Sequence, residues 1–517
     1  MSQPARTERW LLMGLARFRF AMQVVIAAAC LPAGVRAQPV TAAPSRELTE
    51  QLNAWFSRAS RAAPGEWGIA VAGQDGQLIW GIQPTRPMIP ASTVKLFTTG
   101  YARSVLGSDA RKRTRVLGLG HVDAATGTWM GTWALELNGD PTLERSAHGG
   151  PSLGDLALKL RVAGVRHLVG PLVVVTASGS AGASYPAAWS PRHRGRIFAP
   201  LIGQLTLNEN VLSFVIAPAA RVGQKAVLVG ESPAGVGELV AITAKTSSGR
   251  RTRLRYSLVA GGRYLVSGVI GIRARPRRFA TPVADPRIML EASWARALRQ
   301  AGIDWQQASG MAAAASAARP TTLAEVSSEP FDSIASEVNR RSLNIGAELL
   351  LRWAGGEDHP ADRLTSHVQE VTGDFTSVHL VDGSGLSHDD RASAMAFVSY
   401  LARFPSSPGG RGFPQLLPAN GTGTLRKLAK GLPGPGVVRA KTGTLGDVAT
   451  LSGYLGRTEG VLLVSLMYNG PRVWAARQEQ WKLLRLLGAE GVILPIDSMD
   501  ASGQLGGDNR EPPGTAP

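Results

Sequence analysis

A single cysteine, Cys30, occurs in the 517 residues, and it lies in an apolar segment near the N-terminus. If that segment is removed, the rest of the chain has no disulfide and no thiol chemistry. Lysine is scarce, with 9 of the 56 basic residues. Acidic side chains number 38, and the formal net charge is +18. Beyond the N-terminus, no apolar run approaches the ~20 residues a helix needs to span a bilayer. The eight histidines show no pair at helical ligand spacing, and no metal site is read from them. No glycine-rich nucleotide loop precedes a helix, so no cofactor is expected. No basic stretch interleaved with aromatics is read either. A basic surface alone is weak evidence for nucleic acid, which is not an expected partner.

What is present begins with a leader. Arg6, Arg9, Arg17 and Arg19 precede an apolar run from Phe20 to about Val35, and Val35-Arg36-Ala37 places small residues at the −3 and −1 positions of a cleavage site. A cleaved signal at 1–37 is expected, with Met13 as a second possible start and an uncleaved anchor as the alternative. The segment Ala27–Cys30 is a poor lipoprotein box. Removal of residues 1–37 takes away five arginines and one glutamate and leaves a net charge of +14. For an exported chain that balance favours anionic partners, with loose association to an anionic wall or membrane surface as an expectation.

Hydrophobic residues make up 44% of the chain, enough for a large core, while 60 glycines and 33 prolines imply many turns. This favours a mixed α/β protein over a helical bundle. At ~150 residues per domain, the length suggests two to four domains. A helix is expected near Leu48–Ala59. The run "EWGIAVAGQDGQLIWGI" reads as a hairpin with a two-residue turn at Asp75-Gly76. From Arg113 to Ala284 short β-like runs predominate, and helical texture returns at Asp285. Strands "GVVRAKTGTL", "VATLSGYLGRT" and "GVLLVSLMYNG" follow. A last amphipathic helix carries Trp474, Trp481, Leu484 and Leu487 at helical spacing, read as core packing against a sheet. The expected organisation is a signal at 1–37, a first catalytic part at 38–112, an inserted β-rich region at 113–284, a second catalytic part at 285–496 and a disordered tail at 497–517.

The stretch "PASTVKLFTTG" at Pro90–Gly100 places Ser92 three residues before Lys95, and no other lysine has a serine there. On a helix, i and i+3 share a face, so the hydroxyl and the amine can meet. A serine is a poor nucleophile until a base takes its proton, and a lysine is that base only when burial or nearby positive charge lowers its pKa. Alone, Ser92 reads equally as a helix cap. "NRRSLNIGAE" adds Ser342, able to relay a proton, and Asn344, whose amide can hold both Lys95 and a substrate carbonyl. "VVRAKTGTL" adds Lys441-Thr442-Gly443 on a strand. Glycine there permits close approach of another backbone, and such a strand can pair with an extended peptide. An ordinary edge strand with a solvated lysine is the alternative for that motif alone.

In this order, Ser-x-x-Lys, Ser-x-Asn and Lys-Thr-Gly form the signature of the penicillin-recognising serine acyl-transferases. The chain resembles the class C low-molecular-mass penicillin-binding proteins, D-alanyl-D-alanine carboxypeptidases and endopeptidases, from about Glu66 to Gly488. "NGDPTL" at Asn138–Leu143, "LTLNENVLSF" at Leu205–Phe214, "DGSGLS" at Asp382–Ser387 and "GTGTL" at Gly421–Leu425 extend the likeness. The resemblance implies a transpeptidase-like domain, an antiparallel sheet flanked by helices, interrupted by one or two small inserted domains. It implies that Ser92 attacks the penultimate D-Ala carbonyl, with Lys95 as base, Ser342 passing a proton and Asn344 and Lys441 assisting. Thr442, Gly443 and Thr444 would hold the substrate, with the N–H groups of Ser92 and Thr444 as oxyanion donors. Peptidoglycan peptides and β-lactams are the implied partners, and the periplasm the implied location.

The chain departs from the family at Leu343, in the middle of Ser-x-Asn, at His388 after "DGSGLS", at His193 in "PAAWSPRHRGRIFAP" and at Gly446. The last three positions bear on the pocket for the distal side chain of the stem peptide. His193 reads equally as a solvated loop residue. Two other functions stay open on the residues alone: a β-lactamase or esterase on the same fold, and a non-catalytic peptidoglycan-binding scaffold. No convincing Glu-x-x-x-Asn deacylation loop is found, which disfavours the β-lactamase.

Overall fold

Strand β1 (Glu66–Ala72) buries both faces, with Trp67, Ile69 and Val71 in one core and Ala70 and Ala72 in another. Side chains alternate along a strand, so a run apolar at every position belongs inside a covered sheet. Here β1 pairs antiparallel with β2 (Leu78–Ile82) on one side and with a C-terminal strand on the other. In the computed structural model, which describes residues 46–488 apart from 146–148, 178–181, 308–318, 430–431, 433–435 and 459, this sheet has five strands. Strands β3 (Val438–Thr444), β4 (Val448–Arg457) and β5 (Gly460–Asn469) complete it in the order β3-β4-β5-β1-β2, with β3 and β2 at the edges. The expected leader, with Cys30, and the expected tail lie outside the described residues.

Helices cover both faces. Helix α1 (Arg46–Ala62) lies over one face, and α2 (Val94–Leu106), α3 (Phe331–Arg341), α4 (Asn344–Gly355), α5 (Pro360–Thr372) and α6 (Ala394–Arg403) contribute to the core on the other. The C-terminal helix α7 (Val473–Leu486) packs beside α1, where Trp55 Nε1 donates to Glu479 O at 3.2 Å. The fold is the mixed α/β arrangement of an antiparallel sheet between helices. No helix among the described residues is long and apolar enough to cross a membrane.

Two local expectations are corrected. The β1–β2 connection is not a two-residue turn: residues 73–77 close it, with Gly76 N–H donating to Gly73 O at 2.9 Å and Gly76 at φ +82°. The pairing register shifts between Val71, opposite Trp80, and Ala72, opposite Leu78, so Ile79 is the extra residue of a bulge beside the turn. On α7, Trp474 is 71% exposed and takes no part in the core. The buried stripe runs Val473, Ala476, Arg477, Gln480, Leu483, Leu484 and Leu487 instead, the i, i+3, i+4 pattern set by Leu484 and Leu487.

Between α2 and α3 the chain builds a separate apolar core, from Val116 to Val326. It holds strands Arg113–Val122 and Trp129–Glu136, a three-stranded sheet around Val211–Ala217, and a four-stranded sheet centred on Arg263–Gly271. Two helices lie in this core as well. Leu153–Val162 is capped by Ser152 and has no counterpart in the sequence reading, and Pro286–Gln300 lies past residue 284, where the texture changes. That core also takes in Ala324 and Val326 of strand Thr321–Ser327, which pairs with Arg113–Val122, so the apolar packing of this region runs some forty residues beyond the change in texture.

Candidate active site

Ser92 lies in a single 3-10 turn, Ala91–Thr93, that leads into α2. Strand β3 runs directly against this turn. A Cβ at Gly443 would lie 2.8 Å from Pro90 O and 2.9 Å from Ser92 N, so only glycine lets the strand come so close. From the other side Gly385, at φ +71°, brings the Asp382–Ser387 loop onto Ala91, where a Cβ would meet the carbonyl oxygen at 1.9 Å. Thr450 on β4 adds a 2.7 Å hydrogen bond to Pro90 O. The turn is therefore held by backbone and hydroxyl contacts before any substrate arrives.

Lys95, the third residue on, is fully buried. Its Nζ donates to Ser92 Oγ at 3.0 Å, to Asn344 Oδ1 at 2.6 Å and to Ser384 O at 2.5 Å. Burial lowers its pKa to about 7, against the opposing charges of Asp382, Glu348 and Asp390. A neutral amine is thus available near physiological pH beside the candidate nucleophile. The three carboxyl groups had no assigned role in the sequence. Asp382 accepts four backbone N–H groups, those of Ser384 and Gly385 on one oxygen and of Leu386 and Ser387 on the other. It thereby shapes the loop whose Ser384 carbonyl receives Lys95. Burial and the nearness of Asp382 push Glu348 and Asp390 above the ordinary carboxylate range.

Ser342 ends α3 in the left-handed region, φ +58° and ψ +45°, and Asn344 opens α4. This two-residue break aims both side chains at the nucleophile turn. Lys441 Nζ donates to Ser342 Oγ at 2.9 Å and to Thr442 O at 2.7 Å. Lys441 is fully buried, and burial together with Lys95 and Arg477 lowers its pKa well below the usual value. Leu343, the departure within Ser-x-Asn, packs against the main core instead of taking a polar role.

The inserted region supplies one wall. Trp189, Ala199 and Ile202 form a small apolar cluster with Ile345 and Leu349 of α4 and with Leu386. Asn210 Nδ2 holds this loop by bonds to Leu201 O and Leu205 O. The loop delivers Phe198 O to Asn344 Nδ2 at 2.8 Å. One of the two amide protons expected to meet a substrate carbonyl is therefore already engaged. His193 stacks edge-on against Phe198 with ring centroids 5.4 Å apart, and its Nε2 is buried without a partner among the described residues. Burial first, then His388 and Arg196, lower its pKa. His388 Nε2 lies 3.2 Å from Asp447 Oδ1. His193 is partly buried and not a freely solvated loop residue.

Sequence reasoning missed Arg477. It lies on the buried stripe of α7 and is 4% exposed. It donates to Gly443 O at 2.6 Å, Thr444 Oγ1 at 3.2 Å, Thr450 O at 2.8 Å and Gln480 Oε1 at 2.7 Å. No carboxylate pairs with it among the described residues, and burial lowers its pKa to about 10. A charged residue on an otherwise apolar helix stripe was the available signal. Thr442 is half-buried and Thr444 exposed on β3. No group of three or more metal-ligating side chains gathers among the described residues.

The site thus brings together a lysine amine at a serine hydroxyl, a second buried lysine on another serine, and an edge strand beside them. Comparison with known proteins gives the family. A family model described as the D-Ala-D-Ala carboxypeptidase 3 (S13) family matches residues 48–487. The D-alanyl-D-alanine carboxypeptidase of Actinomadura sp. (strain R39) is 26% identical over 459 residues, 82% of this chain and 81% of that one. The penicillin-sensitive carboxypeptidase A of Dictyostelium discoideum is 23% identical over 445 residues, 79% of this chain and 83% of that one. The crystal structure of penicillin binding protein 4 from Haemophilus influenzae shares the fold, with a TM-score of 0.65 at 21% identity over 83% of this chain and 99% of that one. Since the family match spans the turn of Ser92, the break at Ser342 and strand β3 alike, the chain belongs to the D-Ala-D-Ala carboxypeptidase 3 (S13) family.

Proposed function

We propose that this protein is a serine D-alanyl-D-alanine carboxypeptidase that trims peptidoglycan stem peptides through an acyl-enzyme and is acylated by penicillins. The observation that carries this reading is Lys95 Nζ, 3.0 Å from Ser92 Oγ with its pKa near 7. Neutral Lys95 takes the hydroxyl proton as Ser92 Oγ bonds to the carbonyl carbon of the penultimate D-Ala. The backbone N–H groups of Ser92 and Thr444 receive the developing oxyanion. The C–N bond then breaks, and the terminal D-Ala leaves as an amine after taking a proton relayed by Ser342, which Lys441 holds in place. Water attacks the ester, returns a proton to Ser92 and frees the shortened peptide.

Thr442, Gly443 and Thr444 bind the peptide along the edge of β3, and the hydroxyl of Thr444 receives its C-terminal carboxylate. His193 and His388 line the end of the cleft that takes the distal side chain. The leader at 1–37 would place the enzyme in the periplasm with its substrate.

Intact mass after incubation with a penicillin tests the reading. One adduct on the native protein, absent from Ser92→Ala, is the expected result. Absence of an adduct on both would return the protein to the scaffold alternative. Rapid clearance of the adduct would make it a β-lactamase.

A further inference from the structure

Between Glu238 and Asp285 the chain has ten basic residues and no acidic one. They are Lys245 and nine arginines, Arg250, Arg251, Arg253, Arg255, Arg263, Arg273, Arg275, Arg277 and Arg278, and every one is exposed. Among the described residues none forms an ion pair. Arg263 bonds only to Glu238 O and Arg278 only to Ser213 Oγ, both uncharged acceptors.

The sheet sorts these charges onto one side. Strand Arg253–Val259 pairs only with Arg263–Gly271, with Arg253 opposite Val269, Arg255 opposite Ser267 and Val259 opposite Arg263. Lys245 also stands opposite Val269, on a third strand. Cross-strand partners share a face, so Lys245, Arg253, Arg255 and Arg263 project together. The opposite face carries Tyr264 and Val266 into the core. Three aromatics do interleave with these arginines, contrary to the sequence reading. Tyr264 is buried and Phe279 packs on Phe214, which leaves Tyr256, 37% exposed and held edge-on by Phe214 and Phe279, as a single ring and no platform for successive bases. Next to the hairpin tip, Ala260–Gly262, Val259 is 39% exposed on the arginine face, opposite Arg263, while Leu258, 53% exposed, lies on the other face opposite Tyr264.

We propose that this face of the hairpin lies on an anionic lipid bilayer, with Val259 entering the interface beside Arg263 and with Lys245, Arg253, Arg255 and Arg263 meeting headgroup phosphates. Like charges exclude a second copy of the same face. Charged residues on an exposed edge strand also discourage sheet-to-sheet pairing. That role covers Arg253 and Arg255, but not the six arginines outside the hairpin strands. A dissolved polyanion would satisfy the charges and leave the exposed Val259 without a function. A flat face of cations that also carries an exposed apolar side chain matches the layering of a bilayer surface. The inference is independent of the catalytic reading.

The test is sedimentation of the purified protein with vesicles of phosphatidylcholine alone or with added phosphatidylglycerol. Binding to the anionic vesicles only, weakened by salt, is expected. Arg253→Ser/Arg255→Ser/Arg263→Ser should lower affinity by about fivefold per arginine, about a hundredfold in all. Val259→Ser should weaken binding while leaving its salt dependence in place. Penicillin acylation at the native rate certifies that each variant is folded. Should the triple variant misfold, Lys245→Ser reads the same face from the third strand, with the loss of about fivefold expected for one cation. Undiminished vesicle binding by a folded variant of these cations would overturn the proposal. So would equal binding to phosphatidylcholine, or capture by soluble polyphosphate without sedimentation on anionic vesicles.

Discussion

Phe198, in the inserted region, accepts a 2.8 Å hydrogen bond at its carbonyl from Nδ2 of Asn344, whose Oδ1 receives Lys95 Nζ at 2.6 Å. The amide is a bridge with a donor at one end and an acceptor at the other, so its orientation is determined. Asn344→Asp keeps the acceptor for Lys95 but places a second carboxylate oxygen against Phe198 O. Repulsion there, and a new negative charge beside Lys95, should slow acylation by penicillin about a hundredfold or more, the scale of removing one preorganised polar contact. Stopped-time mass spectrometry of the adduct checks this.

The pH dependence follows from Lys95. Its pKa is lowered to about 7, and the neutral form is the base. Acylation should therefore fall about tenfold per unit below pH 7 and level off above it. Glu348 raises the pKa of Lys95 only when ionised, and Glu348 itself is pushed above the usual carboxylate range by burial and by Asp382. Glu348, pushed up to about 8, is protonated across the acid limb, so Glu348→Gln keeps an acceptor for the Gly383 N–H and removes no charge there. The acid limb of the profile should stay in place. A limb moved to lower pH would show that Glu348 is ionised beside Lys95.

The residue pairs of the candidate site were legible because their spacing is local. Ser92 and Lys95 are three residues apart, and Ser342 and Asn344 two apart, so one turn of backbone fixes each pair. The strands of the sheet were legible because both faces are apolar. What stayed hidden depends on contacts between distant segments. Nothing near Phe198 announces that its carbonyl will meet a residue 146 positions away. The role of Asp382 as a turn organiser lies in four backbone N–H groups, which carry no side-chain signature. The reach of the inserted core to Val326 depends on Thr321–Ser327 pairing back to Arg113–Val122, across some two hundred residues.

Arg477 is the charged counterpart to β3. Its guanidinium donates to Thr444 Oγ1, so the Thr444 hydroxyl proton is free to point into the cleft, towards a substrate carboxylate. Arg477→Gln should reduce kcat/KM for peptides with a free C-terminal carboxylate by about ten- to a hundredfold. Peptide analogues capped as C-terminal amides should lose far less. Arg477 also helps to lower the pKa of Lys441, so the variant should raise it. Equal losses on both substrate types would assign Arg477 to support of the fold alone.

Gly443 tests the packing of strand against nucleophile. A Cβ there would stand 2.2 Å from Thr450 Oγ1, 2.8 Å from Pro90 O and 2.9 Å from Ser92 N. Two of the three are backbone atoms of the turn that carries Ser92, so a rotamer change cannot relieve them. Gly443→Ala must move β3 away or displace the turn. A displacement of about 1 Å costs about a hundredfold in rate when the reacting groups are held this closely. The loss should appear in the acylation rate, because the serine shifts relative to both Lys95 and the oxyanion donors. The sheet itself should persist, since its interior strands β4, β5 and β1 are paired on both sides and β3 is an edge. Circular dichroism at native amplitude, together with acylation slowed about a hundredfold, is the expected pair of results. Acylation at the native rate would mean that the cleft tolerates a wider strand, and that the closeness of β3 to Ser92 does not set the rate.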